Sequence, residues 1–263
     1  AMYDNNLCGP LIGIQWVSVP GDASTDSFRS SRGSDASQAF RDNGSICSDG
    51  PIGIEGNPVI NGDANAGKGH RTTLDGGAVV TGNTSPRLRP LNLPGVNAGD
   101  YEDENDNDSR PGLLQGQTLV SPVDHRGNVL VAGGKTDDMP PGTYYFNDLT
   151  LTGRSTLNIT GPTTIYLIGD LDTAGGYLIN TTQVASNLQI LMVGGSAVVT
   201  SAVDLYAVIY APQTAVELRG SAAFFGAAVG RTLLVTGTGD IHYDEDLDVV
   251  DTLGLPQRVS LVQ

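Results

Sequence analysis

The chain has 263 residues, enough for one large β domain or two small ones, and it is 39% hydrophobic with 35 Gly and 14 Pro. That is too apolar for a disordered linker and too irregular for collagen. The net charge of −15 repels nucleic acid and anionic lipid and favours divalent cations or basic partners; 24 of the 29 acidic residues are Asp, which suits turns better than helices.

Ala1-Met2 reads as a cloning remnant or an internal start, with any targeting or anchoring segment upstream of it. No stretch approaches the roughly 20 apolar residues of a membrane span, so no direct membrane insertion is expected. Residues 1–89 read as outer coils of a repeating β structure, with Trp16 and Phe28 as capping or core aromatics. Cys8 and Cys47 form one disulfide in an oxidising compartment or stay two buried thiols. Ser34 to Arg41 is the clearest helical pattern, since Ala36, Ala39 and Phe40 line one turn. Ile52 and Ile54 lead into Val59-Ile60-Asn61-Gly62, and Val79-Val80-Thr81-Gly82 repeats the style of that run. His70 and His125 are isolated and have the flanks of surface loops.

Residues 90–141 break the pattern and read as an irregular acidic insertion. It opens with Pro90 and Pro94 and continues into Asp100-Tyr101-Glu102-Asp103-Glu104-Asn105-Asp106-Asn107-Asp108. Oxygen-bearing side chains at alternating positions resemble the start of a calcium loop, which makes Asp103, Asn105, Asp106, Asn107 and Asp108 candidate ligands and calcium a candidate cofactor. The Gly expected at the sixth position and the Glu at the twelfth are missing. The alternative is a solvated acidic loop.

Residues 142–246 form the regular part. Leu149/Leu151, Leu157/Ile159, Ile165/Leu167, Leu188/Ile190 and Val216/Leu218 alternate at period two, and Gly153, Gly161-Pro162, Gly169-Asp170, Gly175-Gly176 and Gly194-Gly195 separate them. Ala197-Val198-Val199 recurs as Ala215-Val216-Glu217 and, at the same spacing again, as Leu233-Leu234-Val235. In phase with this row, Leu188–Gly194 is echoed by Tyr206–Pro212 and then, one position further on, by Phe225–Gly230. A short fixed period predicts a solenoid, here an all-β single-stranded β-helix of about 18–19 residues per coil, in one domain covering 1–263. Residues 247–263 lack the pattern and are expected to cap a coil end or to be a tail.

Asp240-Ile241-His242-Tyr243-Asp244-Glu245-Asp246 gathers carboxylates around a His and suits a metal or acid/base site, or a strand ending in a polar turn. No nucleophile, phosphate-loop or zinc motif occurs, so no catalytic residue is assigned. The aromatics Tyr144, Tyr145, Phe146, Tyr206, Tyr210, Phe224 and Phe225 lie inside repeat strands, where stacking in or on the solenoid is their expected role.

Several segments are similar, in order, to one known family. They are Thr25-Asp26-Ser27-Phe28-Arg29-Ser30-Ser31, Ile60-Asn61-Gly62-Asp63-Ala64, Pro141-Gly142-Thr143-Tyr144-Tyr145-Phe146, Gly161-Pro162-Thr163-Thr164-Ile165-Tyr166, Ile209-Tyr210-Ala211-Pro212, Phe225-Gly226-Ala227-Ala228-Val229-Gly230 and Ile241-His242-Tyr243-Asp244-Glu245. Over roughly residues 20–246 the chain resembles an uncharacterised bacterial domain family, frequent in planctomycetes and proteobacteria, that often follows a PilX-like (type IV pilin-type) N-terminal helix. The resemblance implies a surface or pilus-associated β-solenoid, bactofilin-like in style, with no catalytic residues to carry over. The hydrophobic N-terminal helix is not among the segments this chain shares, so anchoring is an expectation from the resemblance alone.

The expected function is therefore a non-enzymatic, extracytoplasmic structural or adhesive module of a bacterial surface appendage. Its expected partners are other pilus or surface proteins, or further copies of itself, and not nucleic acid. Two alternatives stand beside it: a carbohydrate-active β-helix enzyme (a polysaccharide lyase or hydrolase) and a self-polymerising scaffold.

Overall fold

A computed structural model describes residues 8–33, 41–107 and 127–248. The expected helical turn at Ser34–Arg41 falls almost wholly outside them, as does most of the tail from Leu247.

The first group of strands is β1 (Leu11–Pro20), β2 (Thr25–Phe28), β3 (Ile46–Ser48), β4 (Ile52–Glu55), β5 (Val59–Ile60), β6 (Ala64–Asn65), β7 (Thr72–Leu74) and β8 (Val79–Val80). The second begins with β9 (Val129–Val131), β10 (Thr136–Met139), β11 (Gly142–Phe146), β12 (Leu149–Leu151), β13 (Ser155–Ile159), β14 (Thr163–Leu167), β15 (Leu171–Asp172) and β16 (Gly176–Asn180). It ends with β17 (Leu188–Met192), β18 (Ser196–Ser201), β19 (Leu205–Gly220), β20 (Phe224–Gly237) and β21 (Ile241–Asp244). Every ladder between named strands is parallel, and the described helices are short 3-10 turns. The chain is a β-helix, as the short period predicts.

Spatial order differs from chain order. The stack starts with β9 and β10, climbs through β11–β13, β14–β16 and β17–β18 to β19, and reaches β20 and β21. The next coil is the N-terminal one: β1 pairs with β20 on one side and with β3 and β4 on the other, while β2 pairs with β21 and β5. The coil of β6, β7 and β8 ends the stack. The chain thus begins in the middle of its own solenoid, at a closure seam between coils from opposite ends of the sequence.

One inward column shows what holds the coils together. Tyr144, Ile165, Ile190, Ile209, Ala228, Leu11, Ile46 and Ala64 stack rung on rung, and all are fully buried. The column crosses the seam at Ala228–Leu11 without a break. Burying an aliphatic side chain of this size contributes roughly 1.5–3 kcal/mol.

The even spacing of the C-terminal repeats is corrected by one position. Ala197 stacks on Val216, not on Ala215, and Val216 stacks on Leu233. The first step is therefore one position longer than the sequence alignment gives, and the second one position shorter. A register shift between Ala211 and Ala215 absorbs the difference. Burial explains the register: Ala197, Val216 and Leu233 point inward, whereas Ala215 is only half-buried. A one-residue slip would turn every apolar side chain outward. Coil length varies: the pairings of Tyr144 with Ile165 and of Ile165 with Ile190 span more residues than that of Ile190 with Ile209, and the N-terminal coil, where Leu11 pairs with Ile46, spans the most of these.

A strap of residues 87–107 runs from the last coil back along the flank to β11, near the opposite end. It lies over a second apolar column on the outer side of the same strands: Tyr145, Tyr166, Leu191, Tyr210, Val229, Ile12 and Cys47. Leu91, Leu93, Val96 and Ala98 cover that column. Leu91 N–H donates to Asp49 Oδ1 (2.9 Å), Tyr210 Oη donates to Pro94 O (2.7 Å), and Tyr101 stacks on Tyr166 (5.6 Å between centroids). Burial raises the Asp49 carboxyl, and the Leu91 N–H and the Arg87 charge oppose that rise.

Candidate functional site at the closure seam

The Asp240–Asp246 segment lies at the seam, with Thr25–Ser31 directly against it. In parallel register Thr25 faces Ile241, Asp26 faces His242, Ser27 faces Tyr243 and Phe28 faces Asp244. Two stretches that the family resemblance marked separately are therefore two halves of one site.

Glu245 is its centre. The side chain is 4% exposed and accepts from Ser27 Oγ (2.8 Å), Arg29 Nε (2.8 Å), Arg41 Nη1 (2.7 Å) and Asn43 Nδ2 (2.9 Å). Burial alone would raise this carboxyl. The hydrogen bonds from Arg29, Asn43, Ser27 and Arg41 outweigh burial and hold it down at about 2. Asp246 accepts from Ser31 N–H (2.6 Å) and Ser30 Oγ (3.3 Å), which lower its carboxyl against the effect of burial. Asp244 accepts from Ser30 N–H (3.0 Å), yet its burial dominates and its carboxyl is raised. Asp240 Oδ1 accepts from Ser24 N–H (2.9 Å).

His242 belongs to an adjoining column. Tyr206, Phe225, His242 and Asp26 occupy successive rungs. Phe225 stacks on Tyr206 (4.3 Å) and on His242 (4.6 Å), and Phe28 meets Phe225 edge-on (5.6 Å). His242 Nδ1 lies 2.6 Å from Asp26 Oδ1, with both residues buried. This His–Asp pair has the geometry of an acid/base dyad but sits beneath packed rings. The carboxylates around it grip backbone N–H, hydroxyl, amide and guanidinium groups of the N-terminal coil. Chemically the seam is a clamp.

The sequence reading picked out His242 and the carboxylates but missed Asp26, Ser27, Arg29, Arg41 and Asn43. The available signal was the pair of polar motifs, Thr25–Ser31 and Ile241–Asp246, at opposite ends of the chain.

The candidate calcium residues lie elsewhere, at the foot of the strap beside β11. Thr143 N–H donates to Asp106 Oδ2 (2.8 Å), and Asp106 N–H donates to Thr143 O (2.8 Å). The buried Asn107 side chain accepts from Tyr145 N–H (3.1 Å) and donates to Tyr145 O (2.6 Å). Asn105 Oδ1 accepts from Asn107 N–H (3.1 Å). These side chains substitute for a neighbouring strand and cover the β11 edge. Asp103 is exposed at the end of the 3-10 turn Gly99–Glu102, and Asp108 lies outside the described residues. Among the described residues no group of three or more His, Cys, Asp or Glu is arranged to hold a metal ion.

Cys8 and Cys47 form a disulfide with Cα atoms 5.5 Å apart, joining the N-terminal coil to the coil above it. Arg87 Nη1 rests 2.9 Å from Cys8 Sγ, where the strap begins.

Residues 155–250 match a family model described as a domain of unknown function (DUF7305). The matched stretch runs from β13 through β21 and includes the C-terminal half of the clamp. No curated protein matches the chain.

Proposed function

We propose that this chain is a non-enzymatic, extracytoplasmic module of a bacterial surface appendage, a rigid rod that serves a structural or adhesive role and associates with type IV pilus or other surface proteins. The observation that carries the reading is the clamp. The ionisable groups best suited to chemistry, Glu245, Asp246, Asp240 and the His242–Asp26 pair, are engaged in binding one coil to the next. The Cys8–Cys47 disulfide supports an oxidising compartment, and the family resemblance supports the pilus association.

The test is surface labelling of a bacterium that produces the protein from its own gene, combined with thiol trapping. Labelling by an impermeant reagent and an oxidised Cys8–Cys47 pair are expected. A chain found only in the cytosol with both thiols alkylated would overturn the location. Turnover of an acidic polysaccharide by the purified protein would overturn the non-enzymatic part.

A further inference from the structure

We propose that the upper end of the solenoid is a docking edge for an extended acidic segment of another polypeptide, which adds to β7 and β8 as a further strand. The proposal concerns one end of the fold and does not depend on where in the cell the protein acts.

The core is open at this end. Val19, Ile54 and Leu74 stack in one inward column; the first two are buried, whereas Leu74 is 43% exposed. Ile60 is buried, and Val80 on the rung above it is only half-buried. The backbone is open as well. Ile52 N–H donates to Arg71 O (3.3 Å), Asp75 N–H to Ile54 O (2.9 Å), Val79 N–H to Pro58 O (3.0 Å) and Thr81 N–H to Ile60 O (3.0 Å), all between this coil and the one below. Successive residues of a strand direct their backbone groups to opposite edges, so the N–H and C=O of Leu74 and Val80 face away from the solenoid. β7 and β8 each pair with a strand on one side only among the described residues. Such an edge is a template for an added strand, whose main chain supplies affinity and whose alternate side chains supply specificity.

Charge selects the partner. Residues 66–89, the upper coil, carry Lys68, Arg71, Arg87 and Arg89 against the single acidic Asp75, in a chain whose net charge is −15. Lys68, Arg71 and Arg89 are exposed, and none of the three forms an ion pair among the described residues. Arg71 immediately precedes β7, and Lys68 lies in the turn before it. A strand with Glu or Asp at alternate positions meets these cations while its other side chains close over Leu74 and Val80. Two copies meeting by this same end repel each other. A polysaccharide polyanion satisfies the cations but leaves Leu74 and the backbone edge uncovered, whereas an acidic strand answers all three features.

The test is amide hydrogen exchange of the full chain, free and with a short fluorescent peptide in which Glu alternates with Val and Thr. In the free chain the N–H groups of Leu74 and Val80 are expected to exchange freely, while those of Asp75 and Val79, bonded to the coil below, stay protected. The peptide is expected to bind, to slow exchange at Leu74 and Val80, and to bind more weakly as salt rises. Lys68→Glu/Arg71→Glu is expected to weaken binding by about tenfold or more. Protection of Asp75 and Val79 in that variant shows that the end still folds. A peptide with Lys in place of Glu is expected not to bind, nor is one with Pro in place of Val and Thr, which loses the N–H donors of that edge. No binding of the acidic peptide overturns the proposal, as does binding that the charge reversal leaves unchanged or that the Pro-containing peptide shares. Protection of Leu74 and Val80 in the free chain also overturns it: in a monomer the chain then covers its own edge, and in a dimer a second copy does. Alginate bound through Lys68 and Arg71, with no binding of the acidic peptide, overturns it in favour of a polyanion. None of these outcomes bears on the surface-labelling result.

Discussion

Glu245 is the residue on which the seam depends most, and its pH behaviour follows from its partners. Its folded carboxyl is depressed to about 2 from an ordinary 4.5. A depressed carboxyl contributes stability above its unfolded value, and that contribution is lost as pH falls from about 4.5 to about 2. The stability difference between the wild type and Glu245→Gln, measured by urea unfolding, is therefore expected to be largest near neutrality and to shrink through that window. Asp244, whose carboxyl is raised, works in the opposite sense, so the comparison with Glu245→Gln isolates the Glu245 effect. Asn107 is the second such residue. Asn107→Ala removes the two side-chain hydrogen bonds that Asn107 makes with Tyr145 N–H and C=O and is expected to cost about 1–3 kcal/mol. Asp106, Asn107 and Asn105 already use side-chain oxygens in backbone hydrogen bonds. The melting temperature is accordingly expected to be the same in calcium and in chelator, and a rise in calcium would identify an ion held by the remaining carboxylates of the tract.

At the scale of elements, one corner of the helix depends on glycine. Gly220, Gly237, Gly21, Gly56 and Gly76 succeed one another up the stack, and a Cβ on each of the last four would meet the backbone of the one below. Gly237 also has φ of +121°, which side chains rarely adopt. Gly237→Ala is expected to destabilise the seam by about 1–3 kcal/mol, read as a lower urea midpoint. This ladder was not visible as a repeat because Gly237 and Gly21 are neighbours only across the seam. The alternation of Val216/Leu218 was legible, and it is what decides the register. Matching Ala197 to Ala215 by residue likeness led one position astray: that ladder is regular, and the bulge lies in the next one, between β19 and β20, where it shortens the step from Val216 to Leu233 and makes the two steps look equal.

At the scale of the whole molecule, the disulfide and the strap hold the inserted N-terminal coils in place. Cys8 and Cys47 close a separation of 39 residues. In the chain-entropy account, a loop of that size contributes about 4 kcal/mol through the unfolded state. Reduction is expected to lower the melting temperature and to raise hydrogen exchange first in β1–β8, while β11–β20 stay protected. Uniform loss of protection over the whole chain would instead show that the seam makes the solenoid a single cooperative unit.

The sequence by itself determined the class of fold. Period-two alternation, glycine at the turns and a short, nearly constant recurrence are local properties, and they force stacked parallel coils because each coil alone leaves its apolar edge residues uncovered. Only the tertiary structure decided the order of the coils, since nothing local marks Leu11 as the neighbour of Ala228. The roles of Asp26, Arg29 and Arg41 were illegible for the same reason: their partners His242 and Glu245 lie near the other end of the chain. A cluster of carboxylates in sequence suggests a ligand site. Once the far end of the chain supplies its donors, the same cluster becomes the joint that closes the rod.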